Sequence, residues 1–292
     1  MGKQKSYQKA TVTSKDGTII GYRQLGKGPG LILVHGGFKS SQDFMKLAGI
    51  LSEKFTVYVV DRRGRGFSPY IADDTFTGMR VTQETEDLEA LVAKTGAANI
   101  FALSAGALVA LHTALATPTI QNVAVYEPPL SVHGSVPVAW VARYEREVAS
   151  GKLANAIVSG MHGLATVPLF TKIPRFLLVP MLSIVMMLQG KATEEEVTIR
   201  SLVPTWEYDM KIVNEMSDTA EDYRNLQANV LLLGGTKSPK WLSISLEKLS
   251  DVLPHARRIT YPGLGHDGPE DDGNPGIVAK DLESFFASEP LV

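Results

Sequence analysis

The chain of 292 residues contains no cysteine, which removes disulfides, thiolate metal sites and a cysteine nucleophile together. Net charge is nearly absent: 29 basic side chains against 31 acidic ones leave −2, so no nucleic-acid partner is expected. Long hydrophobic runs are also missing. The one strongly apolar stretch, Phe176 to Leu188, is interrupted by Pro180 and too short to span a bilayer, so it is expected to be a buried or pocket-lining helix rather than a transmembrane segment. Near the start stand Lys3, Lys5 and Lys9 with no apolar signal-type stretch, which reads as a solvated tail on a cytoplasmic protein.

What is present is an alternation of short apolar runs with helical patterns. Tyr7–Thr13 and Ile19–Gln24 flank Asp16-Gly17, an antiparallel hairpin. Leu31–His35, Thr56–Asp61, Asn99–Ser104 and Asn122–Glu127 then alternate with helices at Ser41–Glu53, Thr82–Lys94 and Ala105–Ala116. That order predicts an α/β fold, a mostly parallel sheet covered by helices on both faces. Strands resume at Val230–Leu233 and Arg258–Tyr261, with helices at Trp241–Leu253 and Ile277–Phe286. Residues 128–223 lack strand periodicity and are rich in methionine and proline, so they read as a helical cap inserted into a core of residues 1–127 and 224–292.

Within this pattern Phe101-Ala102-Leu103-Ser104-Ala105-Gly106 runs from an apolar strand into a helix with a serine at the junction. Small residues on both sides suit a tight strand-to-helix turn that exposes the hydroxyl, the arrangement of a nucleophile elbow. Ala102 replaces the first glycine of the common G-x-S-x-G pattern.

Four segments in order, Leu31–Phe38 with its His35-Gly36-Gly37, Asp61–Ser68, Leu103–Gly106 and Gly263–Asp267, make the chain resemble the α/β-hydrolase fold. The resemblance implies acyl transfer without a metal or cofactor, with Ser104 as nucleophile and His266, in a Gly-rich loop, as base. The position after the seventh strand, the commonest place for the acid, reads Gly234-Gly235-Thr236-Lys237 and holds no carboxylate. A minority of the fold places the acid after the sixth strand, where Tyr126-Glu127-Pro128-Pro129 stands. The resemblance therefore implies Glu127 as the acid, with Asp222, Asp251 and Asp267 as alternatives and a surface glutamate as the plain structural reading. It also implies an oxyanion hole of the backbone N–H groups of Gly37 and Ala105, Phe38 being next in line if the register differs by one.

The other histidines, His35, His112, His133, His162 and His255, read as structural or surface residues, and the arginine-rich Asp61–Ser68 loop as an ordering element rather than a phosphate site. Glu270, Asp271 and Asp272 read as solvated loop carboxylates. Phe38, Trp206 and Tyr208 are candidates for contact with substrate, and Arg143 and Arg146 would serve a substrate carboxylate. Glu127 after the sixth strand is similar to the layout of lactonases that open macrocyclic resorcylic lactones such as zearalenone. The expected activity is hydrolysis of a small apolar ester or lactone; a carbon–carbon bond hydrolase and a non-catalytic ligand receptor are the rivals. An exposed apolar cap face would suit a homodimer contact, a substrate entrance or a membrane surface.

Overall fold

The computed structural model describes residues 6–69, 78–189, 197–253 and 255–287; Lys3 and Lys5 lie outside them. Eight strands form one sheet: β1 Gln8–Thr13, β2 Ile19–Leu25, β3 Gly30–Val34, β4 Thr56–Val60, β5 Asn99–Leu103, β6 Asn122–Tyr126, β7 Asn229–Gly235 and β8 Arg257–Tyr261. Their order is β1-β2-β4-β3-β5-β6-β7-β8. Only the pairings of β1 with β2 and β2 with β4 are antiparallel; β4, β3 and β5 through β8 run parallel. Apart from the edge strand β8, where Arg257, Arg258 and Thr260 are exposed, the parallel strands are buried on both faces because helices cover both, and their apolar residues alternate between two cores. Ile32, Val34, Ile100, Ala102, Val123 and Val125 face one core. Leu31, Leu33, Phe101, Leu103, Ala124 and Tyr126 face the other.

The covering helices are α1 Met45–Leu51, α2 Arg80–Thr95 and α3 Ala105–Ala116 before the sixth strand ends, and two more after the seventh begins. Between β6 and β7 lie α4 Val141–Ala149, α5 Leu153–Leu164, α6 Pro168–Thr171, α7 Arg175–Leu188, α8 Ile199–Leu202 and α9 Trp206–Glu215. The chain closes with α10 Lys240–Val252 and α11 Pro275–Phe286. Lys9, expected in a solvated tail, instead sits in β1 with its ammonium 4.6 Å from the Phe67 ring centre.

Packing in the insertion rests on two tryptophans. The rings of Trp140 and Trp206 lie 5.2 Å apart, and Tyr144 meets both edge-on. A Cβ added to Gly160 would come within 2.4 Å of Trp206, and one on Gly163 within 2.2 Å of Trp140, so these glycines let α5 seat the rings.

The expectation for Phe176–Leu188 needs correction. The segment is helix α7, but only Leu178 and Met186 are buried, while Phe176 and Leu188 are 73% and 76% exposed. Apolar residues run all round this helix, yet only the face with Leu178 and Met186 packs against the rest of the protein. No helix among the described residues is long and apolar enough to cross a membrane.

At the sheet edge opposite the strand ends that carry Ser104 and Glu127, Asn99, Asn122 and Asn229 stand side by side in register. Asn229 donates to Asn122 at 2.9 Å, Asn122 to Asn99 at 2.8 Å, and Asn99 to the Gly30 carbonyl at 2.9 Å. Asn122→Ala breaks the relay in the middle and strands its two neighbours. Urea unfolding is expected to show a loss of about 1–3 kcal/mol, with no change in turnover.

Candidate active site

Ser104 alone makes the turn between β5 and α3, with φ 54° and ψ −129°, a conformation that residues with side chains avoid. Three contacts hold it there. Its N–H donates to the Tyr126 carbonyl at 2.9 Å, and the Ala107 N–H donates to its carbonyl at 2.8 Å. Gly106 brings α3 so near β3 that a Cβ there would lie 2.3 Å from the His35 carbonyl oxygen. Ala105 opens α3, so its N–H has no partner within the helix.

Glu127 follows β6 directly and is almost wholly buried, at 1% exposure. One carboxylate oxygen lies 2.7 Å from His266 Nδ1; the other accepts the Gly235 N–H, also at 2.7 Å. The glycines after β7 are what make this possible. A Cβ on Gly234 would stand 3.2 Å from the Glu127 carboxylate, and one on Gly235 would meet the Leu264 carbonyl at 2.3 Å. The loop carrying His266 is tied from below, since the Tyr126 hydroxyl donates to the Gly265 carbonyl at 2.7 Å. Burial, with the neighbouring Glu127 carboxylate, pushes the Tyr126 phenol well up, so it keeps the proton it donates.

Two further ties were not read from the sequence. Lys39, just after the Gly36-Gly37-Phe38 turn, reaches Glu270 at 2.6 Å and Asp43 at 3.4 Å. Burial works against both charges, raising the Glu270 pKa, while the two carboxylates hold Lys39 protonated above its ordinary value. Asp271 accepts the Lys46 N–H at 2.8 Å. The expectation of solvated carboxylates thus fails for Glu270 and Asp271, which fasten the His266 loop to α1 and its preceding turn. No local pattern reveals a pair 231 residues apart in sequence.

His35 also acts structurally. Its Nε2 accepts the Arg62 N–H at 3.1 Å and its Nδ1 faces the Gly36 carbonyl at 2.8 Å. An acceptor at Nε2 requires the proton on Nδ1, so the neutral ring bridges the loops after β3 and β4. Burial, reinforced by Arg62 and Arg65, holds its pKa well below the ordinary 6.5. In the same region Arg62 grips Glu84 through two bonds of 2.6 and 2.9 Å.

A pocket of about 300 Å³ opens where these loops converge. Gly37, Phe38, Ser104, Ala105 and His266 line it, and Trp206 closes one wall. The remaining lining is mainly apolar, including Met161, Leu164, Phe170, Met210 and Trp241. Among the other expected contacts, Tyr208 is not brought to the pocket. Trp206, Asp209, Met210 and Val213 share one face of α9 at helical spacing. Tyr208, two residues from Trp206, points away and meets Arg80 and Lys211 at 5.3 and 5.4 Å. Arg143 and Arg146 do not line the pocket either; Arg143 pairs with Glu147 at 3.0 Å on the outside of α4. Asp222 and Asp251 lie exposed on other elements, and Asp267 lines the rim without holding His266 Nδ1. No cluster of metal-ligating side chains occurs among the described residues.

The chain belongs to the alpha/beta hydrolase family, whose sequence model matches residues 31–280. Among curated relatives it is 32% identical over 116 residues to an uncharacterized hydrolase, YraK, of Bacillus subtilis (strain 168), covering 39% of this chain and 42% of that one. It is 34% identical over 131 residues to the pimeloyl-[acyl-carrier protein] methyl ester esterase of Stenotrophomonas maltophilia (strain R551-3), covering 43% of this chain and 48% of the esterase. The match thus spans about half the length of these relatives. A solved alpha/beta hydrolase from Sphaerobacter thermophilus DSM 20745 superposes with a TM-score of 0.74 at 28% identity, over 95% of this chain and 100% of its own. The 2-hydroxy-6-oxo-6-phenylhexa-2,4-dienoate hydrolase of Rhodococcus sp. strain RHA1 shares the fold at 18% identity and TM-score 0.69, over 97% and 100% of the two chains.

The buried neutral His35 predicts a pH dependence of stability. Its depressed pKa means that below the ordinary 6.5 the unfolded chain takes up a proton that the folded one does not, so its contribution is whole above that pH and is lost as pH falls. The stability difference between wild type and His35→Gln, followed by denaturant unfolding from pH 8 downward, is expected to shrink by about 1.4 kcal/mol per pH unit below it. A difference independent of pH would show that His35 titrates alike in both states.

Proposed function

We propose that this chain is a serine hydrolase that cleaves an apolar carboxylic ester or lactone through an acyl-enzyme. The observation that carries the reading is the 2.7 Å contact between Glu127 and His266 Nδ1 on the wall of the pocket that exposes Ser104. With Nδ1–H donated to Glu127, His266 Nε2 is left to accept the Ser104 hydroxyl proton as Oγ attacks the carbonyl carbon. The carbonyl π pair moves to oxygen, and the N–H groups of Gly37 and Ala105 receive that oxyanion. Collapse breaks the bond to the leaving alkoxide, which takes the proton from His266. Water, deprotonated by the same imidazole, then attacks the acyl-serine and releases the acid. In a lactone the leaving alkoxide stays attached, and the product is one hydroxy acid.

Substrate character follows from the lining. Apolar and aromatic side chains dominate, and the helices between β6 and β7 act as a cap that supplies Met161, Leu164, Phe170 and Trp206. The esterase relative acts on a methyl ester by its name, in keeping with ester chemistry. A carbon–carbon hydrolase that holds a carboxylate needs a cation in the pocket. Lys39, the cation in the described lining, is engaged with Glu270 and Asp43.

A fluorophosphonate probe is expected to label wild type at Ser104, and a panel of acyl esters and macrocyclic lactones to be hydrolysed with loss of turnover in Ser104→Ala. Glu127→Gln keeps the shape but weakens the hold on the imidazolium, so kcat should fall about 10⁴-fold while the fold persists. Folded wild type that neither labels nor hydrolyses any ester would sink the reading in favour of a ligand-binding protein. Full activity in Glu127→Gln would remove Glu127 as the acid.

A further inference from the structure

Asp209, on the pocket face of α9, is 2% exposed and lies against the turn expected to hold the oxyanion. One of its oxygens accepts the Phe38 N–H at 3.2 Å and an Arg65 Nη2 bond at 2.8 Å. The other lies 2.8 Å from Arg62 Nη1. The approach is so close that a Cβ on Gly37 would stand 2.9 Å from the carboxylate. A bare carboxylate here would oppose any negative charge developing in the pocket. Arg62 and Arg65 offset Asp209 and Glu84, so the buried cluster balances in formal charge.

The hydrogen bonds around Gly37 explain what such a group does. The carbonyl of the Gly36–Gly37 peptide faces His35 Nδ1 at 2.8 Å and Arg62 Nη1 at 3.3 Å. In a trans peptide the N–H points opposite to the carbonyl, so the Gly37 N–H is aimed away from that pair, toward the pocket that Gly37 lines. The next peptide is pinned at its N–H end, where Phe38 donates to Asp209 with φ 57°. Gly37 has no side chain to limit rotation, and these contacts on either side remove the freedom that would let its N–H turn away.

We propose that Asp209 is a positioning residue: by accepting the Phe38 N–H it locks the Gly36-Gly37-Phe38 turn with the Gly37 N–H facing the substrate carbonyl, Arg62 and Arg65 neutralising its charge. Its Oδ2 accepts from the Phe38 N–H and from Arg65, and its Oδ1 is ion-paired with Arg62, so the carboxylate acts on the reaction through the turn it holds. This inference rests on the acyl-transfer reading above and adds to it that a helix of the insertion, not only the sheet, sets the oxyanion hole.

The test compares two charge-balanced double variants, Asp209→Asn with Arg65→Met and Asp209→Leu with Arg65→Met. They have similar shape and differ in the acceptor offered to Phe38. The Leu pair is expected to lose about 10- to 100-fold in fluorophosphonate labelling rate and in kcat on p-nitrophenyl butyrate, with KM within twofold and weakened affinity for a phenylboronic acid. The Asn pair should retain most of all three. Equal labelling and equal boronate affinity in the two pairs, or a loss confined to KM, overturns the proposal. Should either pair fail to fold, amide hydrogen exchange of wild type decides: a protected Phe38 N–H supports the anchor, and exchange at the rate of an unstructured amide overturns it. Failure of the acyl-transfer reading is separable, because it shows as wild type that does not label at all.

Discussion

A carboxylate with almost no access to water has to be satisfied by the protein, and Glu127 is satisfied from two sides, by His266 and by the Gly235 amide. Leaving such a buried charge without its partner costs about 3–5 kcal/mol, so the ends of β6 and β7 and the loop after β8 have to arrive together. The arrangement also accounts for the absence of a carboxylate directly after β7. That corner is occupied by the Glu127 carboxylate, and the strand answers with Gly234 and Gly235, which leave room and supply a donor.

A second set of constraints works through compensated charge. Arg62, Glu84, Arg65 and Asp209 are all nearly inaccessible, and each is tolerable only beside the others. The consequence is mechanical: α2, the loop after β4 and α9 are joined at one point, which is also the back of the Gly36-Gly37-Phe38 turn. Lys39 with Glu270 joins the same turn to the His266 loop. The pocket walls are therefore held by ionic contacts behind them, while the surface they present to a ligand stays largely apolar.

The fold was largely legible in the sequence, because parallel strands buried on both faces read as short continuous apolar runs and their connections as amphipathic helices. Ser104 and Glu127 were legible as residues directly after strands, and His266 as the histidine in the Gly-rich loop after the last strand. The insertion was less so. α7 is apolar throughout and gives no sign of which face packs, and its exposed Phe176 and Leu188 carry the same letters as its buried Leu178. On α9 a usable signal existed and was missed. Trp206, Met210 and Val213 mark one face by their spacing, and Asp209 falls on it, an acid among apolar residues; Tyr208 falls off it.

By itself the sequence determined the order of strands and helices, the tight turn at Ser104 through its small neighbours, and the exclusion of thiol chemistry. Those properties depend on local sterics and on periodicity, which adjacent residues carry. Only the tertiary structure decided which carboxylate meets His266, that Lys39 meets Glu270, and that Asp209 lies behind Gly37. These pairings span 139, 231 and 171 positions between their bonded residues. They depend on distances across the folded chain, and no spacing along it encodes those.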